Sequence, residues 1–314
     1  MTITRDQIAL NALQWINLKQ PDGKAVWLYN DPAWRSEQPK VHQQVKDAGF
    51  ESVMLEVLAT QTLQNYKAML DGVGLKPAPG YVNVTIPPDG GRGLTRGSAE
   101  WVHLFDGIRR RAEETNYMGL DSVFLAAPLH YEGNRRTTEQ TAVGAFFDQS
   151  LLDLIVELLT EAGEVLKAEG IRAGLHNHVG GPIETEAEIE YVLANIDPSI
   201  LGASFDVGHL AWAGVDYRAM LRRHSDRLVD LHIKDLDLSI AAASRATPTP
   251  YYAVADQRFF LEPGLGDIDL NGVLADLNEY GFGGWVIVEV DRASMEPFES
   301  AKFSWKWVER TFPA

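Results

Sequence analysis

The 314-residue chain contains no cysteine, and its basic residues are outnumbered by its acidic ones. The first absence excludes disulfides, thiolate nucleophiles and zinc–thiolate sites, so any metal must bind to histidines and carboxylates. The second gives a formal net charge of −16, from 28 Lys and Arg against 44 Asp and Glu. Nucleic-acid binding needs a concentrated basic surface. We therefore expect no nucleic-acid partner and favour a small neutral ligand.

Long apolar runs are also missing. No run reaches the roughly 18 residues that a membrane-spanning helix needs, and the first six residues, Met1 to Asp6, lack the basic and apolar regions of a secretory signal. We expect a cytoplasmic protein that does not associate with membranes. A content of 45% hydrophobic and 23% charged residues is typical of a globular chain with a sizeable core.

Apolar runs of strand length alternate with amphipathic runs of helix length along the chain. This alternation is typical of consecutive βα units on a parallel sheet. We predict an α/β fold with a single (β/α)8 TIM barrel formed by one domain, residues 1–314. The eight predicted strands lie near residues 8–18, 50–58, 75–84, 119–128, 171–178, 201–209, 228–235 and 283–291.

Between the strands, an apolar stripe of helical period predicts a helix over residues 151–168. Thr185, with Glu188 three residues later, forms a predicted capping box for a helix that ends before Pro198. Two stretches interrupt the alternation: residues 87–98 after the third strand, and a long loop at about 236–266 after the seventh. Long loops in compact domains are commonly functional, so we expect both to cover the mouth of the barrel.

Four predicted strands end in side chains that can bind a metal: His176, Asp206, His232 and Glu289. A parallel barrel gathers the C-terminal ends of its strands around one mouth, where these groups could share a single divalent ion. Asp206 and Glu289 end apolar runs, and a buried carboxylate is costly unless it is paired or binds a metal. For Asp206 the alternative is an N-cap on the following helix. Nitrogen and oxygen ligands favour Mn²⁺, Co²⁺ or Mg²⁺.

Three further polar residues accompany these ligands. His178 shares a strand face with His176 and is a candidate for substrate binding. His209 follows the strand end, so it is either a substrate contact or a solvated loop histidine. Lys234 faces the same way as His232, and it either donates to a substrate oxygen or pairs with Asp235 or another acid.

The first two strands carry candidate substrate contacts. Glu56 ends the second strand, where it would orient a substrate hydroxyl or a ligand, or form a buried ion pair. Trp15 and Asn17 end the first predicted strand and would offer a flat wall and a polar contact to a polyol ring.

Together these residues resemble the xylose-isomerase-like barrels, a family of sugar isomerases, epimerases and related lyases. The resemblance runs from Trp15-Ile16-Asn17 through residues 49–56 to residues 264–269 and 284–289. It implies one divalent ion held by His176, Asp206, His232 and Glu289. It also implies a small polyol or keto-sugar as substrate, and assembly as a homo-oligomer.

Many epimerases of this family have Glu where this chain has His176. An epimerase of that kind uses two carboxylates on opposite faces of a planar intermediate, whereas a dehydratase or a one-sided isomerase can work from one face. The chain is most similar to the dehydratases of inositol catabolism. We therefore expect a metal-dependent dehydratase acting on a keto-polyol such as 2-keto-myo-inositol.

In the expected reaction Glu289 is the base that removes the proton next to the carbonyl, giving an enediolate, and His209 or Lys234 protonates the departing hydroxyl. Three alternatives are a sugar isomerase or epimerase, a ketoglycoside-processing enzyme on the same site, and a non-catalytic polyol-binding protein.

Overall fold

The computed structural model describes residues 2–16, 32–86, 94–129, 131 and 133–314. The strands of these residues are β1 (Ile8–Leu10), β2 (Ser52–Met54), β3 (Lys76–Ala78), β4 (Tyr81–Asn83), β5 (Ser122–Ala126), β6 (Arg172–His176), β7 (Gly202–Ala203), β8 (Leu231–Ile233), β9 (Asp235–Leu236), β10 (Phe260–Leu261) and β11 (Val286–Val288). The helices are α1 (Leu13–Ile16), α2 (Pro32–Ala48), α3 (Leu63–Val73), α4 (Ala99–Tyr117), α5 (Gln149–Ala168), α6 (Glu186–Asn195), α7 (Val207–Trp212), α8 (Tyr217–Arg223), α9 (Leu238–Ala246), α10 (Tyr251–Ala255), α11 (Leu270–Glu279) and α12 (Pro297–Thr311).

Two parallel sheets form the wall of the barrel. One has the strand order β3-β2-β1-β11-β8, and the other has the order β4-β5-β6-β7. Parallel bridges between Ala203 and Leu228 and between Asp206 and His232 join β7 to β8. At the other seam, β3 and β4 are two halves of one barrel strand, interrupted at Pro79–Gly80. The predicted (β/α)8 barrel is therefore confirmed.

A small apolar layer fills the inside of the barrel beneath its mouth. It consists of Ala9, Met54, Ala78, Phe124 and Ile287, which come from five strands of the wall. The larger core lies between the wall and the surrounding helices. Because successive side chains of a strand point to opposite faces, each strand contributes to both cores, and the inner layer supports whatever lies at the mouth.

The predicted helices are confirmed, whereas the predicted strands are too long. Residues 151–168 lie in α5, and Thr185 and Glu188 form both hydrogen bonds of a capping box at α6. The first strand ends at Leu10, so Trp15 lies in α1 and not in a strand, which corrects that prediction. The apolar run of the first strand continues past Leu10 in the sequence because the residues of α1 are also buried.

The stretch at 236–266 is an ordered insertion. β9 and β10 pair antiparallel as a hairpin around α9 and α10. Its aromatic residues Tyr251, Phe259 and Phe260 are buried against Trp212 at the end of α7. Of the 87–98 stretch, residues 87–93 lie outside the described residues. Within the described part of the chain, no helix combines the length and apolarity that a bilayer span requires.

Candidate metal centre

The predicted ligands His176, Asp206, His232 and Glu289, hereafter the candidate metal centre, meet at the mouth of the barrel. One ligand atom from each of the first three lies within 4.8 Å of the other two. The Oε2 atom of Glu289 lies 2.6 Å from Nδ1 of His232. His176 ends β6, His232 lies in β8 and Glu289 follows β11, so the closure of the barrel brings the four groups together.

Asp206 serves two functions with its two oxygens. Its Oδ1 accepts a hydrogen bond from the backbone N–H of His209 at 3.0 Å and so caps the N-terminus of α7. Its Oδ2 is directed towards the centre, 3.9 Å from Nδ1 of His232. The predicted alternatives of helix cap and metal ligand are therefore compatible.

The ammonium group of Lys234 lies behind the candidate metal centre and is fully buried. Its Nζ is 2.6 Å from Oδ1 of Asp291, 3.0 Å from Oδ2 of Asp206 and 3.1 Å from Oε1 of Glu289. We call these four residues the carboxylate–lysine cluster. The predicted alternative that Lys234 pairs with acids is confirmed. The partners are these three carboxylates, whereas Asp235 accepts backbone N–H groups of the insertion.

The charges of this cluster fit a divalent cation. Three carboxylates and one ammonium carry a formal −3 + 1 = −2, and a buried charge of that size is costly without compensation. Burial raises the pKa of Asp291 to about 7, so that a proton can offset part of the charge. With Asp291 ionised, one divalent ion would neutralise the whole charge of −2. The donor set of imidazoles and carboxylates also suits such an ion.

The pKa shifts of His176 and Glu289 also favour the binding of a divalent cation. Burial holds the pKa of His176 well below its usual value, so its imidazole is neutral and able to bind a metal. Burial alone would raise the pKa of Glu289, but the ammonium group of Lys234 and the adjacent imidazole of His232 outweigh it and keep the pKa well below the usual range. Burial also raises the pKa of Asp206, while Lys234 opposes that shift.

Tyr81, which sequence reasoning missed, reaches the same centre from β4. Its hydroxyl lies 3.1 Å from Oε2 of Glu289, 3.3 Å from Nδ1 of His232 and 3.4 Å from Nε2 of His176. The signal that would have found it is Pro79-Gly80 in the third predicted strand, because proline and glycine within a strand mark a break that redirects the next side chains.

A cavity of about 540 Å³ opens beside the centre. The polar side chains that line it are those of Asn11, Glu56, Tyr81, Asn83, Arg111, His176, His178 and Glu289. The rest of the lining is apolar and includes Met54, Leu55, Val57, Pro128 and Leu129. Such a cavity, mostly apolar with a few convergent polar groups, is typical of a small-molecule site.

The structure brings some of the predicted substrate residues to this cavity. Glu56 and His178 line it. His178 donates from Nδ1 to the carbonyl of Val179 at 2.7 Å, which fixes its tautomer. Trp15 instead packs in the core, where its Nε1 donates to Gln44 at 2.9 Å, and it does not contribute to the cavity lining given by the described residues. Asn17 lies outside the described residues.

His209 and Lys234 are buried behind the centre and are absent from the lining that the described residues form. The alternative of a solvated loop histidine at His209 is wrong, since that side chain is fully buried and its Nε2 lies 2.9 Å from Nζ of Lys234. Both residues reach the cavity through other groups: Lys234 contacts Glu289, and the ring of His209 lies 3.7 Å from that of His178.

The insertion also contacts the carboxylate–lysine cluster. The hydroxyl of Tyr251 donates to Oδ2 of Asp291 at 2.9 Å, and its ring stacks on that of His178. Phe260 lies 5.5 Å from Nζ of Lys234. The insertion therefore packs directly against the charged groups through Tyr251 and Phe260.

Comparison with known proteins agrees with the fold. Residues 42–311 match the family model described as xylose isomerase-like TIM barrel, and the chain belongs to this family. The inosose dehydratase of Lactiplantibacillus plantarum is 30% identical over 167 residues, which are 52% of this chain and 56% of that protein, so the match spans about half of its length. The inosose dehydratase of Geobacillus kaustophilus is 24% identical over 278 residues, 87% of each chain.

Solved structures share the fold at lower identity. The IolI protein with a bound zinc atom superposes with a TM-score of 0.64 at 15% identity, covering 98% of this chain and 100% of that one. A D-allulose 3-epimerase from Methylomonas sp. in complex with D-allulose gives a TM-score of 0.66 at 13% identity, covering 99% of both chains.

Proposed function

We propose that this protein is a metal-dependent dehydratase that acts on a keto-polyol such as 2-keto-myo-inositol. The observation that carries the proposal is the meeting of His176, Asp206, His232 and Glu289 beside a cavity, with a buried formal charge that one divalent ion would neutralise. The likeness to inosose dehydratases supports the reaction class. We further propose Mn²⁺, Co²⁺ or Mg²⁺ as the ion, and the cytoplasm as the location.

A divalent ion at this centre would supply Lewis-acid stabilisation of the negative charge that develops on a carbonyl oxygen. Glu289 is the proposed base. It lines the cavity, and its low pKa keeps it ionised and able to accept the proton adjacent to the carbonyl. A carboxylate of low pKa is a weak base, so this role depends on the acidification of that proton by the ion.

Other side chains hold Glu289 in position. Asn11 donates to its Oε2 at 2.8 Å, and Lys234 donates to its Oε1 at 3.1 Å. His178 lines the same cavity, and we propose it as the residue that contacts the departing hydroxyl. His209 and Lys234, the predicted proton donors for that hydroxyl, are not part of the cavity lining formed by the described residues, so we propose that the proton taken up by Glu289 passes to the hydroxyl and water leaves.

Metal content and product analysis test the proposal. Protein purified without chelator is expected to contain one divalent ion per chain. With added Mn²⁺ it should convert a keto-inositol to a dicarbonyl product that absorbs in the ultraviolet and has lost one water. An isomerase or epimerase would release a product of unchanged mass. A protein that binds metal and polyol without turnover would be a binding protein.

The variant Glu289→Gln should lose turnover by at least about a thousandfold while it keeps the parent's thermal stability within a few degrees. Glu113→Gln, an exposed glutamate on α4, is the matched control and should behave like the parent. Retained activity in Glu289→Gln would exclude Glu289 as the base.

A further inference from the structure

The hydroxyl of Tyr81 lies among three groups of the candidate metal centre. Its distances to Glu289, His232 and His176 are 3.1, 3.3 and 3.4 Å, at the long end for hydrogen bonds. The ring also lines the cavity, so the hydroxyl is at the boundary between the protein groups and the space for a ligand.

The local backbone directs Tyr81 to this point. β3 pairs with β2 up to Ala78, and β4 pairs with β5 from Tyr81 onwards, so the barrel strand changes partner at Pro79–Gly80. A Cβ atom at Gly80 would come 2.5 Å from the carbonyl oxygen of Leu55, so the close approach at the break requires glycine. The tyrosine ring then packs edge-on against Phe124 of the apolar layer, which restricts its motion.

The Glu289 carboxylate does not require the Tyr81 hydroxyl for its own stabilisation. Its Oε2 already accepts from Asn11 at 2.8 Å and lies 2.6 Å from Nδ1 of His232, and both contacts are shorter than the one to Tyr81. A purely structural role would therefore contribute little at this position.

A neutral phenol fits the charges better than a phenolate. A phenolate 3.1 Å from the Glu289 carboxylate would add a second buried negative charge beside the first, which is costly. A neutral phenol is a hydrogen-bond donor, and a fixed donor at the position where an oxygen gains negative charge stabilises the transition state.

We infer that Tyr81 is a further catalytic residue, whose hydroxyl donates a hydrogen bond to the substrate oxygen that becomes negatively charged at the centre. This inference rests on the proposed function for the reaction, but it is tested without turnover. Oxalate is a suitable probe because it presents two adjacent anionic oxygens in a plane, as an enediolate does.

The experiment compares the parent, Tyr81→Phe and Tyr117→Phe, where Tyr117 is an exposed control at the end of α4. For each protein, Mn²⁺ affinity is measured by calorimetry, and oxalate affinity is then measured on the Mn²⁺-loaded protein. We expect Tyr81→Phe to bind Mn²⁺ within about threefold of the parent and oxalate about 10- to 100-fold more weakly, as for a lost hydrogen bond to a charged group. Tyr117→Phe should match the parent in both.

Two results would overturn the inference. Oxalate affinity unchanged in Tyr81→Phe would show that the hydroxyl does not contact a ligand there. Loss of Mn²⁺ affinity in parallel with oxalate affinity would make Tyr81 a metal ligand and not a donor to substrate. If keto-polyols are not turned over by the parent, the proposed reaction fails, while the oxalate comparison still decides the function of Tyr81.

Discussion

The Nζ atom of Lys234 lies 2.6 Å from Oδ1 of Asp291, and neither side chain has appreciable access to solvent. Through the same ammonium group, Asp291 is linked to Asp206 and Glu289, two members of the candidate metal centre. This lysine is the only positive charge with a fixed sign in the carboxylate–lysine cluster. It allows three acidic groups to remain buried beside one another before any ion binds.

Replacement of this ammonium is expected to destabilise the metal-free protein strongly. Lys234→Met should lower the free energy of unfolding by about 3–5 kcal/mol, because it leaves buried carboxylates without their cation. Urea denaturation in the presence of a chelator measures this loss. In the double variant with Asp291→Asn, one fewer carboxylate is uncompensated, so its loss should be smaller than the sum of the two single losses. Simple additivity would contradict the charge argument.

Glu56 should make stability depend on pH. Burial raises the pKa of Glu56 to about 8, although Arg111 opposes the shift. Between the usual pKa of about 4.5 and about 8, the folded protein retains a proton that the unfolded chain has released, so this group's contribution to stability falls as the pH rises through that window. Glu56→Gln removes this dependence.

Thermal denaturation of the parent and of Glu56→Gln at pH 5.5 and pH 8.5 tests the direction of this pH dependence. We expect the free energy of unfolding of Glu56→Gln to exceed that of the parent by on the order of 1 kcal/mol at pH 8.5, and by little at pH 5.5. An equal effect at both values would mean that Glu56 is ionised throughout.

The break at Gly80 can be tested with a pair of glycine substitutions. Gly80→Ala should lower the free energy of unfolding by about 1–3 kcal/mol, because the new Cβ would lie 2.5 Å from the Leu55 carbonyl oxygen. Gly107→Ala lies on an exposed part of α4 with no atom within 4 Å of the new Cβ, and it should gain about 0.5–1 kcal/mol from helix propensity. Chemical denaturation measures both. A neutral Gly80→Ala would show that the close approach relaxes readily.

The stability of the insertion, residues 236–266, should depend on the hydroxyl of Tyr251. Tyr251→Phe removes the hydrogen bond to Oδ2 of Asp291 and is expected to lower the free energy of unfolding by about 1–3 kcal/mol, since a buried carboxylate oxygen loses one of its donors. Hydrogen exchange should then increase in residues 236–266 relative to the rest of the barrel. Tyr117→Phe is the control. Faster exchange spread evenly over the chain would indicate global destabilisation instead.

Much of the candidate metal centre could be predicted because strand ends are visible in sequence. His176, His232 and Glu289 each follow a short apolar run, and parallel barrels place such positions at one mouth. Tyr81 could not be found in the same way, because it begins β4 after a break and does not end an apolar run. Trp15 was misplaced because the buried helix α1 is apolar like the strand before it, so periodicity over a few residues cannot separate them.

The pairing of Lys234 was also beyond a linear reading. Asp235 is its neighbour in sequence, yet alternate residues of an extended segment face opposite ways, and Asp235 binds the insertion instead. Asp291 and Asp206 come to Lys234 from other barrel strands. The choice among acidic partners therefore depended on which strands are adjacent in the closed barrel.

The order of apolar and amphipathic segments by itself determined the class of fold and the identity of four groups that can hold a cation, because burial of hydrophobic faces and the cost of burying carboxylates act locally. Only the tertiary structure decided which residues enclose the cavity and which remain behind it. His178 and Tyr81 line it, whereas Lys234 and His209 support it from within. That division follows from the closure of the barrel and the packing of the insertion, both of which join residues far apart in the chain.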